Sequence, residues 1–257
     1  MSMRSSWKGS LGFGMVAIPV KLYKATEANN GKISLNQLHA ECGGRVKMPK
    51  YCPKCDKQLE TSEIVKGYEV SKDQYVQITA EDMENLPLKT QKAIQVEHFV
   101  RGLPDLRYPQ DAYFLAPDKD MGAKAFTLFC KAMEAEGVIG IAKIAMRDRE
   151  HLCAVRPYNG VLLLQTLHWA SDLRSCDELQ VSAEVTEKEM DMASTLIRAM
   201  TGEVDLADYT DDYTNALRNL IEAKMEGRVI EAPEVKEETK DLLDDLMKSV
   251  EMAQAAA

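Results

Sequence analysis

Four side chains in this 257-residue chain have the types and spacing of a metal site. His39 and Cys42 are separated by two residues, Cys52 and Cys55 by two more, and nine residues lie between the pairs. A tight turn such as Cys52-Pro53-Lys54-Cys55 aims two thiolates at one ion, and His39 with Cys42 could complete a tetrahedron. Gly43-Gly44 suits a backbone that must bend around a metal. Structural zinc is the favoured reading, because four protein ligands leave no position open for a substrate. Reduced cysteines buried in a sheet are one alternative. A Cys-x-x-Cys redox couple is another, although no βαβ pattern surrounds it. A zinc hydrolase would need an open metal position beside a carboxylate such as Glu41, and the closed ligand set argues against it. Cys130, Cys153 and Cys176 stand alone and read as core residues or bystanders.

The second group with chemical potential is cationic: Lys21, Lys24, Arg45, Lys47, Lys50, Lys143, Arg147, Arg149 and Arg156. The net charge of −9 speaks against polyanion binding, but its distribution is uneven. Residues 1–72 hold 12 Lys and Arg against 6 Asp and Glu, a balance of +6, whereas the remainder holds 20 against 35, a balance of −15. A basic front half can face a polyanion while the acidic remainder limits promiscuous association. Taken singly, each cation is more simply a solvated surface charge. Catalysis has little support, since the chain lacks a phosphate-binding glycine loop and a Gly-x-Ser-x-Gly elbow. His98 and His168 sit in apolar, strand-like surroundings, and Glu150-His151 reads as a surface turn.

The elements that must position these residues are mainly strands, followed by helices. Trp7 to Glu27 (WKGSLGFGMVAIPVKLYKATE) is apolar at both parities and carries Gly9, Gly12 and Gly14. It reads as a doubly buried strand opening a curved, nearly closed sheet. Further strands are expected at 44–50, 63–70, 74–79, 93–101 and 112–116, with a helical turn near Glu81–Leu86. Helical periodicity sets in at 121–136, with Phe126, Phe129, Cys130 and Met133 on one face and Gly137 as the stop. A hairpin, 138–147 and 151–157, and a strand at 161–168 after Asn159-Gly160 come next. Thr186 with Glu189 forms a capping box for a helix whose apolar stripe is Met190, Ala193, Ile197 and Met200. A second helix, about Asp208 to Glu226, is expected to bury Tyr209, Tyr213, Leu217, Leu220 and Ile221. Residues 228–238 read as a charged linker. A last short helix, 239–251, is amphipathic, with Asp241, Asp244 and Asp245 opposite Leu242, Leu243, Leu246, Met247 and Val250.

The opening run resembles the start of the prokaryotic Ku proteins, the DNA-end-binding factors of non-homologous end joining. The resemblance continues through NQLHAECGGRVKMPKYCPKC, IVKGYEVSKDQYVQIT, YFLAPDK, IAKIAMRDREHLCAVRPY and IRAMTGEVDLADYTDDY, and so covers most of residues 4–228. It implies an α+β, mainly β chain: a Ku-type β-barrel with an extended bridge (1–180, with the Cys/His cluster at 39–55), a helical arm (181–228), then a linker and acidic helix (229–257). In that family two subunits close a ring around duplex DNA. The strands between about 63 and 116 are the expected bridge. The resemblance further implies a non-enzymatic homodimer that binds double-stranded DNA ends through the nine cations named above. It also implies an end-joining DNA ligase as partner of the last helix, through Leu242, Leu243, Leu246, Met247 and Val250. No apolar stretch reaches membrane-spanning length and no secretory signal is evident, so a cytoplasmic, nucleoid-associated protein is expected. The competing expectation, from another class, is a zinc-stabilised protein–protein adaptor that does not bind DNA.

Overall fold

A computed structural model describes residues 3–27, 31–86, 90, 92–103, 105, 107–118, 120–146, 149–228 and 246–249. The chain separates into two compact units, Met1–Ala28 with Asn36–Ser175 and Asn29–Leu35 with Cys176–Ala257.

The first unit is built on a closed barrel. The opening run is a hairpin of two strands, β1 (Ser5–Phe13) and β2 (Val16–Lys24), and not the single strand its unbroken apolar character predicts. Gly14, at φ +56°, makes the turn that divides them; such a backbone favours glycine, which has no Cβ to clash. Two small hairpins follow: β3 (Tyr51–Cys52) with β4 (Lys57–Gln58), and β5 (Lys66–Ser71) with β6 (Gln74–Ile78). The strand expected at 44–50 is reduced to an isolated bridge between Leu38 and Arg45. A short helix, α1 (Ala80–Glu84), is capped by Thr79, whose hydroxyl accepts from the Asp82 N–H.

The remaining staves are β7 (Ala93–Val100), β8 (Pro109–Pro117), β9 (Ile139–Met146), β10 (Arg149–Tyr158) and β11 (Val161–Leu167). Around the barrel the order is β1-β2-β8-β11-β10-β9-β7, and a parallel pairing of β1 with β7 closes it. β7 and β8 are therefore barrel staves. Of the stretch 63–116, the β5–β6 hairpin is the sheet segment left outside the barrel.

Alternation puts one side chain in two into the barrel. Leu11, Ile18, Val20, Leu22, Ile94, Leu115, Ile144, Val155, Leu162 and Leu164 are almost fully buried. Each contributes about 1.5–3 kcal/mol relative to exposure. The helix α2 (Asp120–Glu136) closes the core with Phe126, Phe129, Cys130 and Met133. Phe13 stacks on Phe129 at 4.2 Å between ring centroids, and Phe99 meets the same ring edge-on at 6.2 Å.

The second unit holds α3 (Glu187–Met200) and α4 (Asp212–Met225). The capping box at its start is formed as expected: Thr186 Oγ1 accepts from Glu189 N–H, and Thr186 N–H donates to the Glu189 carboxylate. The apolar stripes are not buried. Met190, Ile197, Met200, Tyr209 and Tyr213 are all exposed, and Leu217, Leu220 and Ile221 are half-buried. The last expected helix lies mostly outside the described residues, of which 246–249 are helical.

Candidate nucleic-acid interface

The outward-facing cations are set by strand parity. On β2, Ile18, Val20 and Leu22 point inward, so Lys21 points out, paired across the ladder with Lys8 of β1. Between them sits Asp118, its side chain only 6% exposed, at 2.5 Å from Lys21 Nζ and 2.8 Å from Lys8 Nζ. The hydrogen bonds and charge of these two ammoniums hold the Asp118 carboxyl down to about 2, and Asp118 raises Lys21 in return. Both lysines are thereby compensated by protein charge. Lys24 lies 3.6 Å from Asp111, and Lys143, outward on β9, lies 3.3 Å from Glu97.

Other cations have no such partner. Among the described residues, Arg45, Lys47, Lys50, Arg149 and Arg156 make no ion pair, and all five are exposed. Arg149 and Arg156 stand at opposite ends of β10 and at opposite parity, so one flat surface does not hold both. β2 and β9 are not neighbours in the barrel order, which separates Lys21 from Lys143. Arg147 lies outside the described residues. Arg45, Lys47 and Lys50 lie within six residues of one another in sequence, on the segment that also carries the His/Cys pairs. Sequence reasoning treated all nine cations alike; it missed the Asp118 clamp because that carboxylate is distant in sequence and reaches β1 and β2 only through the pairing of β8 with β2.

The His/Cys pairs form two separate turns. His39 Nδ1 lies 3.1 Å from Cys42 Sγ, and the Gly44 N–H donates to the same sulfur at 3.4 Å. In the second turn, hydrogen bonds from the Cys55 backbone, the Cys55 thiol and the Lys54 backbone lower the Cys52 thiol below its ordinary range, and the same contact raises Cys55. Among the described residues no three potential ligands converge. Cys130 and Cys153 are core residues; burial pushes Cys130 up to about 11 and raises Cys153 further. Cys176 is exposed.

Elsewhere on the barrel, Met3, Tyr23, Phe114, Ala116, Tyr158, Asn159 and Val161 line a pocket of about 550 Å³. It contains no charged group, so it is no phosphate site. Of the last helix, Leu246 and Met247 fall within the described residues, Met247 exposed; Leu242, Leu243 and Val250 lie outside them.

The closed barrel agrees with a family match made on the sequence. The family model for the Ku70/Ku80 beta-barrel domain matches residues 12–192. The chain belongs to the Ku family. Its relatives include the protein named Non-homologous end joining protein Ku of Archaeoglobus fulgidus, 45% identical over 97% of this chain and 99% of the relative. Its namesake in Lachnoclostridium phytofermentans is 38% identical over 97% of both chains, and that of Bacillus subtilis is 36% identical over 89% of this chain and 74% of the relative. The glycine run belongs to this barrel: Gly9 and Gly12 lie on β1 at the closing seam, where Gly12 faces the Gln95 side chain of β7. Among the described residues of this Ku-family chain, no helix is long and apolar enough to cross a membrane.

Proposed function

We propose that this chain binds double-stranded DNA ends without sequence preference in non-homologous end joining, as a homodimer whose two copies close a ring around the duplex. The observation that carries this reading is the β5–β6 hairpin. Its register pairs Tyr68 with Val76 and Lys66 with Ile78, which places Tyr68, Val76 and Ile78 on one face beside Lys66, with Val70 at the irregularity between Glu69 and Ser71. Tyr68, Val70 and Val76 are 67%, 63% and 56% exposed. A two-stranded hairpin is marginal by itself, and one with an uncovered apolar face needs another surface. A second copy supplies the same face by symmetry. The exposed apolar residues of α3 and α4 make the same demand.

Phosphate contacts by Arg45, Lys47, Lys50, Arg149 and Arg156 would give affinity without base readout. End preference would then follow from topology, because a closed ring loads only at a terminus. Recruitment of an end-joining DNA ligase through the apolar side of the last helix, Leu242, Leu243, Leu246, Met247 and Val250, belongs to the same reading, as does a non-catalytic role.

The test is a gel shift with linear duplex, competed by the same DNA as a closed circle and as short linear fragments. Competition by linear DNA alone supports the reading. Equal competition by the circle, or strong base preference, overturns it.

A further inference from the structure

The outside of the barrel is polar on one side and aromatic on the other. On β1 and β7 the side chains opposite in parity to the core include Lys8, Ser10 and Gln95. On β2, β8, β11 and β10 the outward positions are different. The ladders align Tyr23 with Phe114, Phe114 with Leu163 and Leu163 with Arg156 in one row. In the next row Lys21 faces Ala116 and Val161 faces Tyr158. Their neighbours in sequence, Leu22, Leu115, Leu162 and Val155, belong to the core, so these rows lie on the outer surface.

Three kinds of group meet there. The first is aromatic: Phe114 and Tyr158 stack with ring centroids 5.9 Å and planes 26° apart, and Tyr158 is still 46% exposed. Both rings and that of Tyr23 line the pocket of about 550 Å³. The second is an amide. Asn159, at φ +45°, and Gly160, at φ +80°, form the two-residue turn that joins β10 to β11, and hairpin turns of this kind fix their central residues tightly. The turn sets Asn159 in the pocket wall, and its side-chain amide makes no hydrogen bond among the described residues. The third is a cation. Arg156, which makes no ion pair among the described residues, precedes Tyr158 by two positions on the same face, about 6.8 Å along the strand.

An apolar side chain of a partner protein would use the rings and leave the amide and the cation idle. A nucleotide uses all three: its base stacks, its edge pairs with an amide that both donates and accepts, and its phosphate reaches an arginine. A base inside a duplex already has both faces covered, so the matching ligand is unpaired. We propose that the outer face of β2, β8, β11 and β10 is a stacking platform for an unpaired nucleotide of a single-stranded DNA overhang, with the base against Tyr23, Phe114 and Tyr158. This rests on the DNA-end-binding reading and adds to it a site that senses the structure of the end.

The test measures the affinity of the full-length protein by fluorescence anisotropy for three forms of one duplex: blunt, with an overhang of about six thymidines, and with the same overhang made abasic. Overhangs of both polarities are used. The expected result is that thymidines bind at least about fivefold more tightly than abasic residues in one polarity. Tyr158→Leu and Phe114→Leu, which keep the face apolar but remove a ring, should bring that ratio close to one and leave blunt-end affinity and the thermal transition in place. An iodouracil in the overhang should cross-link to peptides carrying Tyr23, Phe114 or Tyr158. If the wild type does not bind the blunt duplex, the end-binding reading itself falls. If blunt ends are bound but thymidine and abasic overhangs bind alike, or the ratio survives Tyr158→Leu, or the cross-links map elsewhere, the platform alone is overturned. A pocket built for an apolar peptide side chain gives the second of these outcomes.

Discussion

Replacing Gly9 by alanine tests whether the glycine-rich opening run closes the barrel. A Cβ at Gly9 would overlap the Lys92 carbonyl oxygen and the Trp7 ring. The ring can shift, at the cost of straining its indole N–H bond to the Ala145 carbonyl, 3.2 Å long. The Lys92 carbonyl is backbone, and it accepts the 3.0 Å bond from Ser10 N–H next to the β1–β7 seam. Overpacking against such a neighbour costs about 1–3 kcal/mol, and loss of the Ser10 bond costs about 1 kcal/mol more. The stiffer unfolded chain returns about 0.4–1 kcal/mol, leaving a net destabilisation of about 1–3.6 kcal/mol. Gly14→Ala provides the comparison: a Cβ there meets nothing within 4 Å, but φ is +56°, so the penalty is the left-handed backbone alone, about 1 kcal/mol. Urea unfolding at fixed protein concentration should rank Gly9→Ala well below Gly14→Ala, with the slope unchanged. Equal losses, or a larger loss at Gly14, would refute the seam as the reason for the glycine.

Three further outcomes follow from particular side chains. Asp118 sits at about 2 when folded against an ordinary 3.8, so its stabilising contribution is complete above about pH 4 and is lost as pH falls towards 2; the stability gap between wild type and Asp118→Asn should close over that window, and a gap constant with pH would contradict the Lys8–Lys21 clamp. Replacing Arg45, Lys47 and Lys50 together by glutamine should weaken DNA binding for every sequence and flatten the salt dependence by up to about 0.9 per lost phosphate contact. Lys8→Gln with Lys21→Gln should change the slope far less; an equal effect would mean that ion pairing does not decide which cations meet phosphate. Tyr68→Ser with Val76→Ser should raise the dimer dissociation constant by at least about tenfold, given about 1.5–3 kcal/mol per buried apolar side chain, and sedimentation showing an unaltered dimer would remove the hairpin from the interface.

Much of the fold is legible in the sequence where local signals agree with the final packing. The helix at 121–136, the hairpin at 138–157 and the capping box at Thr186 all combine periodicity with a stop signal, and the structure places them within a few residues of expectation. The opening run misled because burial inside a barrel erases the polar interruption that would mark a turn; Gly14 was the remaining clue. The strand expected at 44–50 failed because Val46 and Met48 alternate without any sheet to receive them. The stripe on α3 was read as apolar, and the residues of the second helix were read as buried, whereas Tyr209 and Tyr213 are exposed and Leu217, Leu220 and Ile221 only half-buried, since a sequence states which face seeks cover and not which chain supplies it. The candidate site was half legible. Charge type could be read at Lys21 and Lys143, but their carboxylate partners, Asp118 and Glu97, are set by tertiary register.

The central claim is that the protein encircles DNA that it can enter only at an end. Its most direct test is topological trapping. A linear duplex biotinylated at both ends is loaded with protein, the ends are then capped with streptavidin, and the complex is challenged with high salt. Salt screens phosphate contacts but does not open a closed ring. The account predicts that capped complexes survive the challenge while uncapped ones dissociate, and that capping before loading prevents binding. Dissociation at the same rate with and without caps would contradict encirclement and leave a protein that rests on one side of the duplex.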